Sequence, residues 1–402
     1  MKDRVTYASR VLYVGPTGVA GSLGESPISG ITPTQLHHVN YVEHSIEAPT
    51  ETAYQFGTLT PMGEAMVKPI DVKLDFEYNL ADLQNEKWLG FTVDNLSTSS
   101  ISGFLDQKND EQNFYVLTSN STRAIEEQSQ SEFLSNQENY ITSFGNCVVE
   151  SYKIGASLSS VPSASISMDA TTIYYSKGVS GIIKPSVDQN GKCWKKPEDI
   201  PLPQTLIIPK PEEDRLNVDS LRPAYIDMYF SSESCAQGGY VLPTGNSRED
   251  SLSSCSLTSF EIELDLPRRK PQRLGSKFPL SKKIKYPAFL KFSCVARAKD
   301  LKQGEISNMF CTPESTVTIE MDNPYNLNKN IIINLKGMHL ESEISQTSLM
   351  NQETVNLEFS CALSSPTGDN YGMYISGVAA PPQLTSYGIT SGQFLGGDLA
   401  YR

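Results

Sequence analysis

The sequence resembles itself, and this constrains its fold more than any other feature. At a shift of 218 positions, residues 39–83 align with 257–301 without a gap, and all three prolines of the first window meet a proline. At a shift of 191, residues 147–168 align with 338–359. Proline marks strand ends and turns, so the match preserves structural boundaries as well as residue types. We therefore predict two tandem copies of one fold.

Weaker similarities at the ends set the predicted boundaries. Arg10–Val14 resembles Ile226–Phe230, and Tyr174–Val179 resembles Tyr374–Val378. The fall in the shift from 218 to 191 indicates an insertion in copy one, which we assign to the polar stretch Ser119–Glu138. The predicted segments are an N-terminal arm at 1–35 (partly the first strand of copy one), copy one at 36–185, a proline-rich linker at 186–222, copy two at 223–382 and a glycine-rich C-terminal arm at 383–402.

Apolar and polar residues alternate with a period of two in both copies, which is typical of half-buried strands. Val72 to Tyr78 and Phe260 to Leu266 are the clearest cases. The fold class we predict is mainly β, with each copy an antiparallel β-sandwich or open barrel that carries one short α-helix and one long loop. The loops span Pro49–Pro69 and Pro267–Pro287 and exceed the length of a tight hairpin.

The predicted helices occupy equivalent places in the two copies, at Asp82–Phe91 and Asp300–Phe310. Each begins with an aspartate, a residue type that caps helices by accepting a hydrogen bond from a free backbone N–H. We expect each helix to follow the second strand of its copy.

The polar side of the strands is acidic in both copies. The simplest explanation is a sheet face exposed to solvent. The same acidic pattern recurs in both copies, however, which favours a shared role. The acidic residues concerned are Glu43, Glu47, Asp71, Asp75, Glu77, Glu150, Glu261, Glu263, Asp265, Glu341, Glu343 and Glu358.

Several kinds of chemistry are absent from the sequence. The net charge of −13 disfavours a grip on nucleic-acid phosphates. The seven cysteines never form a C-x-x-C motif, and the adjacent His37 and His38 would point to opposite faces of a strand, so we predict no metal. His44 falls on the apolar side and is expected to be a core residue. Gly15–Gly24 is not followed by the Gly-Lys-Ser/Thr of a phosphate loop. We predict no cofactor, no enzymatic activity and no transmembrane or secretory segment.

The order of elements resembles the major tail tube proteins of long-tailed bacteriophages. The order is strand, long loop, strand, short helix and paired late strands. The stretch Ser256–Phe310, the late strands Gly337–Leu363 and a Tyr-x-x-Gly turn after each copy carry the similarity. The two copies together cover about four fifths of the chain.

The resemblance implies a fold and a role. In that family six sandwich units close a ring around an inner β-barrel, and rings stack into a hollow tube through which DNA passes. The duplication suggests that three chains supply the six units. The expected partners are further copies of this chain, the tape measure protein and DNA transiently in the lumen, and sheath, baseplate and terminator proteins, with no membrane. The expected location is the virion tail, assembled in the host cytoplasm.

The resemblance gives the charged residues roles. We expect the acidic face to line the lumen, where it would repel DNA phosphates. The second long loop is basic, and besides a solvated loop or a nucleic-acid contact we favour docking onto the next ring. Its cations are Arg268, Arg269, Lys270, Arg273, Lys277, Lys282, Lys283 and Lys285.

Two alternatives remain open. A baseplate hub or tube-initiator protein uses the same fold as a single ring, and polymerisation separates the two. A carbohydrate-binding or receptor-binding sandwich would need an exposed aromatic platform, but the two tryptophans, Trp88 and Trp194, are far apart in the sequence.

Overall fold

The structure is a computed structural model that describes part of the chain. The described residues are 10–16, 33–47, 50–53, 63–66, 70–94, 96, 98–105, 111–119, 125, 128–136, 138–182, 205–211, 221–231, 257–271, 279, 282–297, 314–322, 330–346, 354–363 and 371–377. Strands dominate in these ranges and all pair in antiparallel fashion with their neighbours, which confirms the predicted mainly-β class.

The first half of the chain contains twelve of the described strands and three short helices. The strands are β1 (Arg10–Pro16), β2 (Thr34–Gln35), β3 (Val39–Glu47), β4 (Thr50–Ala53), β5 (Gly63–Met66), β6 (Asp71–Asn79), β7 (Gln112–Ser119), β8 (Asn139–Ser157), β9 (Ser160–Ala170), β10 (Thr172–Lys177), β11 (Ser180–Ile182) and β12 (Thr205–Ile207). The helices are α1 (Gln84–Trp88), α2 (Ser102–Leu105) and α3 (Gln130–Ser135).

The second half begins with a 3-10 turn at Pro223–Tyr225. Its described strands are β13 (Ile226–Ser231), β14 (Leu257–Asp265), β15 (Arg268–Arg269), β16 (Lys283–Ile284), β17 (Ala288–Arg297), β18 (Ser315–Met321), β19 (Ile331–Gln346), β20 (Thr354–Leu363) and β21 (Gly372–Ser376).

Eight strands form one continuous antiparallel sheet across both halves. Their order is β3-β6-β9-β8-β14-β17-β20-β19. The N-terminal halves of the long strands β8 and β19 lie in a second layer, and their C-terminal halves lie in this sheet. In the second layer β8 pairs with β7 and β10, and β19 pairs with β18 and β21. Each half of the chain is therefore a sandwich of two layers, linked by one strand that belongs to both.

The strand pairing of the second half follows that of the first. Val72 pairs with Ala170, and the residues 218 and 191 positions further on, Leu290 and Cys361, are also paired. The same two shifts relate a β-bulge in β8, between Val149 and Ser151, to one in β19, between Leu340 and Ser342.

A large hydrophobic core lies between the layers and crosses from one half to the other. The inward residues of β6, such as Leu74 and Phe76, belong to the same cluster as Ile262 and Leu264 of β14. A smaller cluster around Tyr115 and Phe133 lies beneath α3. The described cysteines Cys147, Cys294 and Cys361 are buried in the large core.

The helices differ in part from the predictions. Helix α1 lies within the predicted Asp82–Phe91 segment, but its N-cap is Leu83, while the Asp82 carboxylate accepts a hydrogen bond from the Gln84 N–H at 3.1 Å. The equivalent segment 300–310 lies outside the described residues. The polar insertion contains α3, whose capping box pairs Ser129 with Glu132.

Both long loops contain a small hairpin that the sequence did not indicate. Strands β4 and β5 pair in copy one and β15 and β16 in copy two, in equivalent registers. The predicted linker is partly ordered against the first half: β12 pairs with β11, the Ile208 side chain is buried, and the Tyr13 hydroxyl donates to the Pro209 carbonyl at 2.9 Å. The C-terminal arm at 383–402 lies outside the described residues, as do residues 1–9 and 17–32 of the N-terminal arm.

Candidate functional site: an acidic face, a seam and two open edges

Eleven carboxylates lie on the polar face of the eight-stranded sheet, which we call the acidic face. The pairs Glu43 with Asp75 and Glu47 with Asp71 show the alternation, because directly opposed residues share a face. The eleven are Glu43, Glu47, Asp71, Asp75, Glu77, Glu150, Glu261, Glu263, Asp265, Glu341 and Glu358, all exposed or half-buried.

Glu343 is the exception, and its predicted place on this face is corrected. The β-bulge between Leu340 and Ser342 inserts one extra residue, Glu341, into β19. The alternation of faces along β19 is therefore shifted by one residue after Glu341. Glu343 consequently pairs with Leu357, so its position in the strand ladder is one of the core-facing positions. Simple alternation by two fails wherever a bulge intervenes.

Three lysines partly neutralise the acidic face. Lys73 lies 3.3 Å from Glu150, and the Glu150 charge raises the lysine pKa. Lys291 lies 3.8 Å from Glu263. Lys153 contacts two glutamates and is described with the seam below. The face therefore remains acidic, but with fewer uncompensated charges than the count of carboxylates suggests.

The two halves join through a seam of main-chain pairing between β8 and β14. Residues 151–157 pair with 259–265, and the Leu266 N–H extends the pairing by donating to the Glu150 carbonyl at 2.8 Å. Lys153 bridges the seam on the acidic face, with its Nζ 3.0 Å from Glu263 and 3.4 Å from Glu261. The hydrogen bond to Glu263 is the main reason that the Lys153 pKa is raised. We call this the internal seam.

A cluster of charges, the clasp, closes one end of the internal seam. Asp169 of β9 is almost fully buried, with its Oδ1 2.9 Å from Lys270 and its Oδ2 3.1 Å from Lys282. The Lys282 side chain is 4% exposed and also donates to the carbonyls of Asp169 and Asn146. Burial lowers the Lys282 pKa, and the Asp169 charge opposes this. Asp71 is a second, more exposed partner of Lys270 at 3.0 Å.

The guanidinium of Arg268 completes the clasp. Its Nη2 and Nε donate to the Val149 carbonyl at 2.8 and 3.1 Å. The basic loop in the second half of the chain is thus bonded to the first half, through Arg268, Lys270 and Lys282. These three cations are engaged within the chain. Arg269, Lys283 and Lys285 are exposed, while Arg273 and Lys277 lie outside the described residues.

Two strand edges of the eight-stranded sheet have no partner among the described strands. At one end β3 pairs only with β6, and at the other end residues 339–346 of β19 pair only with β20. We call these the open edges. They carry exposed apolar side chains, with Ile46 on β3 46% exposed and Ile344 on β19 47% exposed. His44, which we expected in the core, lies on the core-facing side of β3 but is exposed because β3 is an edge strand.

A buried carboxylate lies in the core of copy one. Glu86 of α1 accepts hydrogen bonds from the hydroxyls of Tyr78 at 2.7 Å and Tyr152 at 3.0 Å. Burial raises the Glu86 pKa to about 7, and burial likewise raises the pKa of both tyrosines. This group anchors α1 on the sheet.

The described residues contain no group of three or more His, Cys, Asp or Glu side chains that could hold a metal ion. Among the same residues, no helix has the length and apolar character needed to cross a membrane. The sequence interpretation missed Asp169 and Lys153. Both follow the alternation of their strands, but their importance comes from partners about a hundred residues away.

No family model matches the sequence, and no curated protein matches it either. Among solved structures, the SPP1 tail tube matches with a TM-score of 0.27 and 10% identity, over 48% of this chain and 92% of that chain. This chain is thus similar to a tail tube protein.

Two other solved structures match in the same way. One is a native gene transfer agent virion particle, with a TM-score of 0.20 and 9% identity over 38% of this chain and 96% of that chain. The other is an Hcp protein, with a TM-score of 0.20 and 11% identity over 37% and 98%.

Proposed function

We propose that this protein is the non-enzymatic structural subunit of a phage tail tube. Three chains close a ring of six repeated units, and rings stack around an acidic lumen that conducts DNA. The observation that carries the proposal is the internal seam. It joins the last strand of one unit to the first strand of the next, and the open edges are the same two strands without that partner.

The equivalence of the edges follows from the two shifts. The strand that corresponds to β14 in the first half is β3, and the strand that corresponds to β8 in the second half is β19. A second copy of the chain therefore repeats the internal seam by pairing its β3 with β19 of the first. Such a contact uses different surfaces on the two partners, so repeated addition produces a closed ring or an open helix.

Burial at the internal seam shows what the open edges lack. Leu264 is fully buried beside β8, whereas the equivalent residue of β3, Ile46, is 46% exposed. Ile262 is likewise buried, and its equivalent His44 is exposed. A neighbouring β19 covers these side chains and also satisfies the free main-chain groups that make exposed strand edges prone to aggregation.

The register of the contact between chains can be specified. Glu263 pairs with Lys153 at the internal seam, and the equivalent pair between chains is Ser45 with Ile344. Closure by three chains comes from the sixfold rings of the family that the sequence resembles, combined with two units in each chain. Each chain then contributes eight strands to the inner barrel.

The acidic face gives the barrel its proposed transport property. A negatively charged wall offers DNA phosphates no site of favourable binding energy, so the DNA slides along it. At physiological salt the repulsion acts within about 8 Å of the wall. Reversing the charge of several of the eleven carboxylates should leave ring formation intact and slow DNA ejection. Unchanged ejection would contradict the lumenal assignment.

Disulfide cross-linking tests the ring contact. We expect the variant with Ser45→Cys and Ile344→Cys to form covalent dimers and trimers under mild oxidation, because directly opposed residues have Cβ atoms about 4.5–5.5 Å apart. The matched control, Glu47→Cys with Ile344→Cys, is displaced by two residues and should cross-link much more slowly. Equal cross-linking of the two variants, or none in either, would contradict the proposed contact.

Stacking of rings is the part of the proposal that separates a tube from a baseplate hub. The exposed cations Arg269, Lys283 and Lys285 are the described candidates for contact with an acidic surface of the next ring. Replacing all three by glutamine should shorten or abolish tubes while single rings persist. Tubes of normal length would exclude these residues from the ring-to-ring contact.

A further inference from the structure

The second layer of each half has an equivalent edge strand, β10 in the first half and β21 in the second. Tyr174 of β10 pairs with Ser143, and Tyr374 of β21 pairs with Asn334. Ser143 and Asn334 are related by the shift of 191, so the two tyrosines occupy the same place in their sandwiches. Each strand pairs along one edge with a long strand, which leaves its outer edge available to a further partner.

The outer edge of β21 is covered by the first half of the chain. The cover is formed by residues 92–100, which follow α1 and which we call the strap. The backbone N–H groups of Asp94 and Ser100 donate to the carbonyls of Ile375 and Met373, at 3.1 and 2.8 Å. Under this cover the side chains of Met373 and Ile375 are fully buried.

The outer edge of β10 has no such cover in the part of the chain that the structure describes. The residues equivalent to Met373 and Ile375 are Ile173 and Tyr175, and within that part their carbonyls accept no main-chain hydrogen bond from outside β8. Tyr175 is 60% exposed, whereas its equivalent Ile375 is buried. An open main-chain edge beside an exposed aromatic side chain is typical of a strand that another segment can extend.

The exposed surface of β10 is continuous with the open edge of β3. The Tyr175 hydroxyl lies 3.4 Å from Nε2 of His44, and the His44 ring makes a T-shaped contact with Phe144 of β8, with centroids 5.5 Å apart. A chain whose β19 pairs with β3 therefore adjoins β10 as well. Inside one chain the two equivalent strands, β14 and β21, are both covered by the first half, through β8 and the strap.

The equivalent of the strap in a neighbouring chain belongs to the connection between β17 and β18. Strands β6 and β17 end at Asn79 and Arg297, 218 positions apart, and β7 and β18 occupy the same place beside β8 and β19. The connection has 32 residues in the first half, 80–111, and 17 in the second, 298–314, of which 298–313 lie outside the described residues. Half of the shorter connection spans roughly 25 Å when extended, several times the distance of about 4.8 Å between paired strands. It is therefore long enough to reach an adjoining strand edge and return.

We propose that the connection 298–314 of one chain covers the outer edge of β10 in the next chain of the ring. It adds main-chain hydrogen bonds to the carbonyls of Ile173 and Tyr175 and buries the Tyr175 ring. The contact between chains then has two parts, β19 with β3 in the inner sheet and the connection with β10 in the second layer. This inference rests on the proposed ring, and it adds a contact that the pairing of β19 with β3 does not by itself require.

Photo-cross-linking from position 175 tests this contact in rings that are already closed. The starting protein carries Ser45→Cys and Ile344→Cys, so that oxidation locks the trimer. Tyr175 is replaced in it by p-benzoylphenylalanine, an aromatic residue that cross-links to neighbouring groups on illumination. The trimers are assembled from a mixture of light and heavy isotope-labelled chains, and mass spectrometry identifies the joined peptides. The control carries the same replacement at Tyr225, which is 45% exposed but precedes β13, at the other edge of the second layer.

The expected result is a cross-link from position 175 to a peptide from 298–314 that joins a light chain to a heavy chain. Position 225 should give no cross-link of this kind. A locked trimer in which position 175 cross-links only within its own chain, only to other segments, or not at all would overturn this contact and leave the ring standing. A protein that forms neither the locked trimer nor cross-links between chains would overturn the contact and the proposed function together.

The affinity of the unlocked trimer provides a second measurement. Tyr175→Ser should weaken the trimer by about tenfold in analytical ultracentrifugation, as expected when a buried aromatic side chain is truncated at an interface. Tyr225→Ser should leave it unchanged. Circular dichroism of the dissociated chains confirms that both variants fold. An unchanged trimer in Tyr175→Ser would overturn the burial of this side chain between chains.

Discussion

Replacing Asp169 by asparagine should destabilise the whole chain, because this carboxylate is the anion that two lysines share. Asp169 is 1% exposed and Lys282 is 4% exposed, so water cannot replace the lost partner. Removing one member of a buried ion pair typically costs about 3–5 kcal/mol, most of it from the charge left behind. We expect the free energy of unfolding to fall by that amount.

Asp71→Asn is the matched control. Asp71 contacts the same Lys270 at 3.0 Å, but its side chain is 50% exposed. Exposed ion pairs contribute about 0–1 kcal/mol, so this variant should lie close to the wild type. Urea unfolding followed by circular dichroism measures both variants, and an unchanged slope with a shifted midpoint identifies a true change in stability.

A second change distinguishes the buried charge from a general packing defect. Adding Lys282→Met to Asp169→Asn removes the uncompensated cation and should restore a large part of the lost stability. Equal costs for Asp169→Asn and Asp71→Asn would refute the reasoning. Failure of Lys282→Met to restore any stability would refute it as well.

Three further predictions concern Glu86, the glycine pair Gly337 and Gly178, and the equivalent positions Leu264 and Ile46. Burial raises the Glu86 pKa from 4.5 to about 7, so the folded state holds its proton more tightly and stability should fall as pH rises between these values; in Glu86→Gln, unfolding followed across this range should show that this dependence is lost. Gly337→Ala should lower the melting temperature more than Gly178→Ala does. Both glycines have a positive φ, but only at Gly337 would the new Cβ collide with a side chain, the aromatic ring of Tyr371. Leu264→Ala should cost about 2–5 kcal/mol in the monomer, measured by urea unfolding. Ile46→Ala should leave the monomer within about 0.5 kcal/mol and weaken the trimer in sedimentation experiments.

The mainly-β class and the core-facing residues of the clearest strands could be predicted because their signal is local. Alternation marks the core-facing residues of β6 and β14 directly, and the two shifts in the self-alignment match the observed ladder, as in the pairs Val72 with Ala170 and Leu290 with Cys361. Eleven of the twelve predicted acidic residues share one face for the same reason.

What the sequence could not predict depends on contacts between distant residues. A β-bulge moves Glu343 from the polar-face positions of β19 to the core-facing positions, and no residue in the sequence marks this bulge. Lys282 looks like a surface cation in the sequence, yet it is buried beside Asp169, which is 113 residues away. His44 has a core-facing position on β3, but it is exposed because β3 pairs only with β6 among the described strands. The burial of Lys282 and of His44 is thus decided by strands that are distant in the sequence.

Electron microscopy of end views of the assembled protein tests the central claim most directly. The account predicts hollow rings whose averages are threefold symmetric, with six similar lobes and a lumen lined by the eight-stranded sheet of each chain. Rings in which the β3 and β19 edges stay apart, rings built from six chains, or a protein that remains monomeric at all concentrations and in the presence of a tail initiator would contradict it.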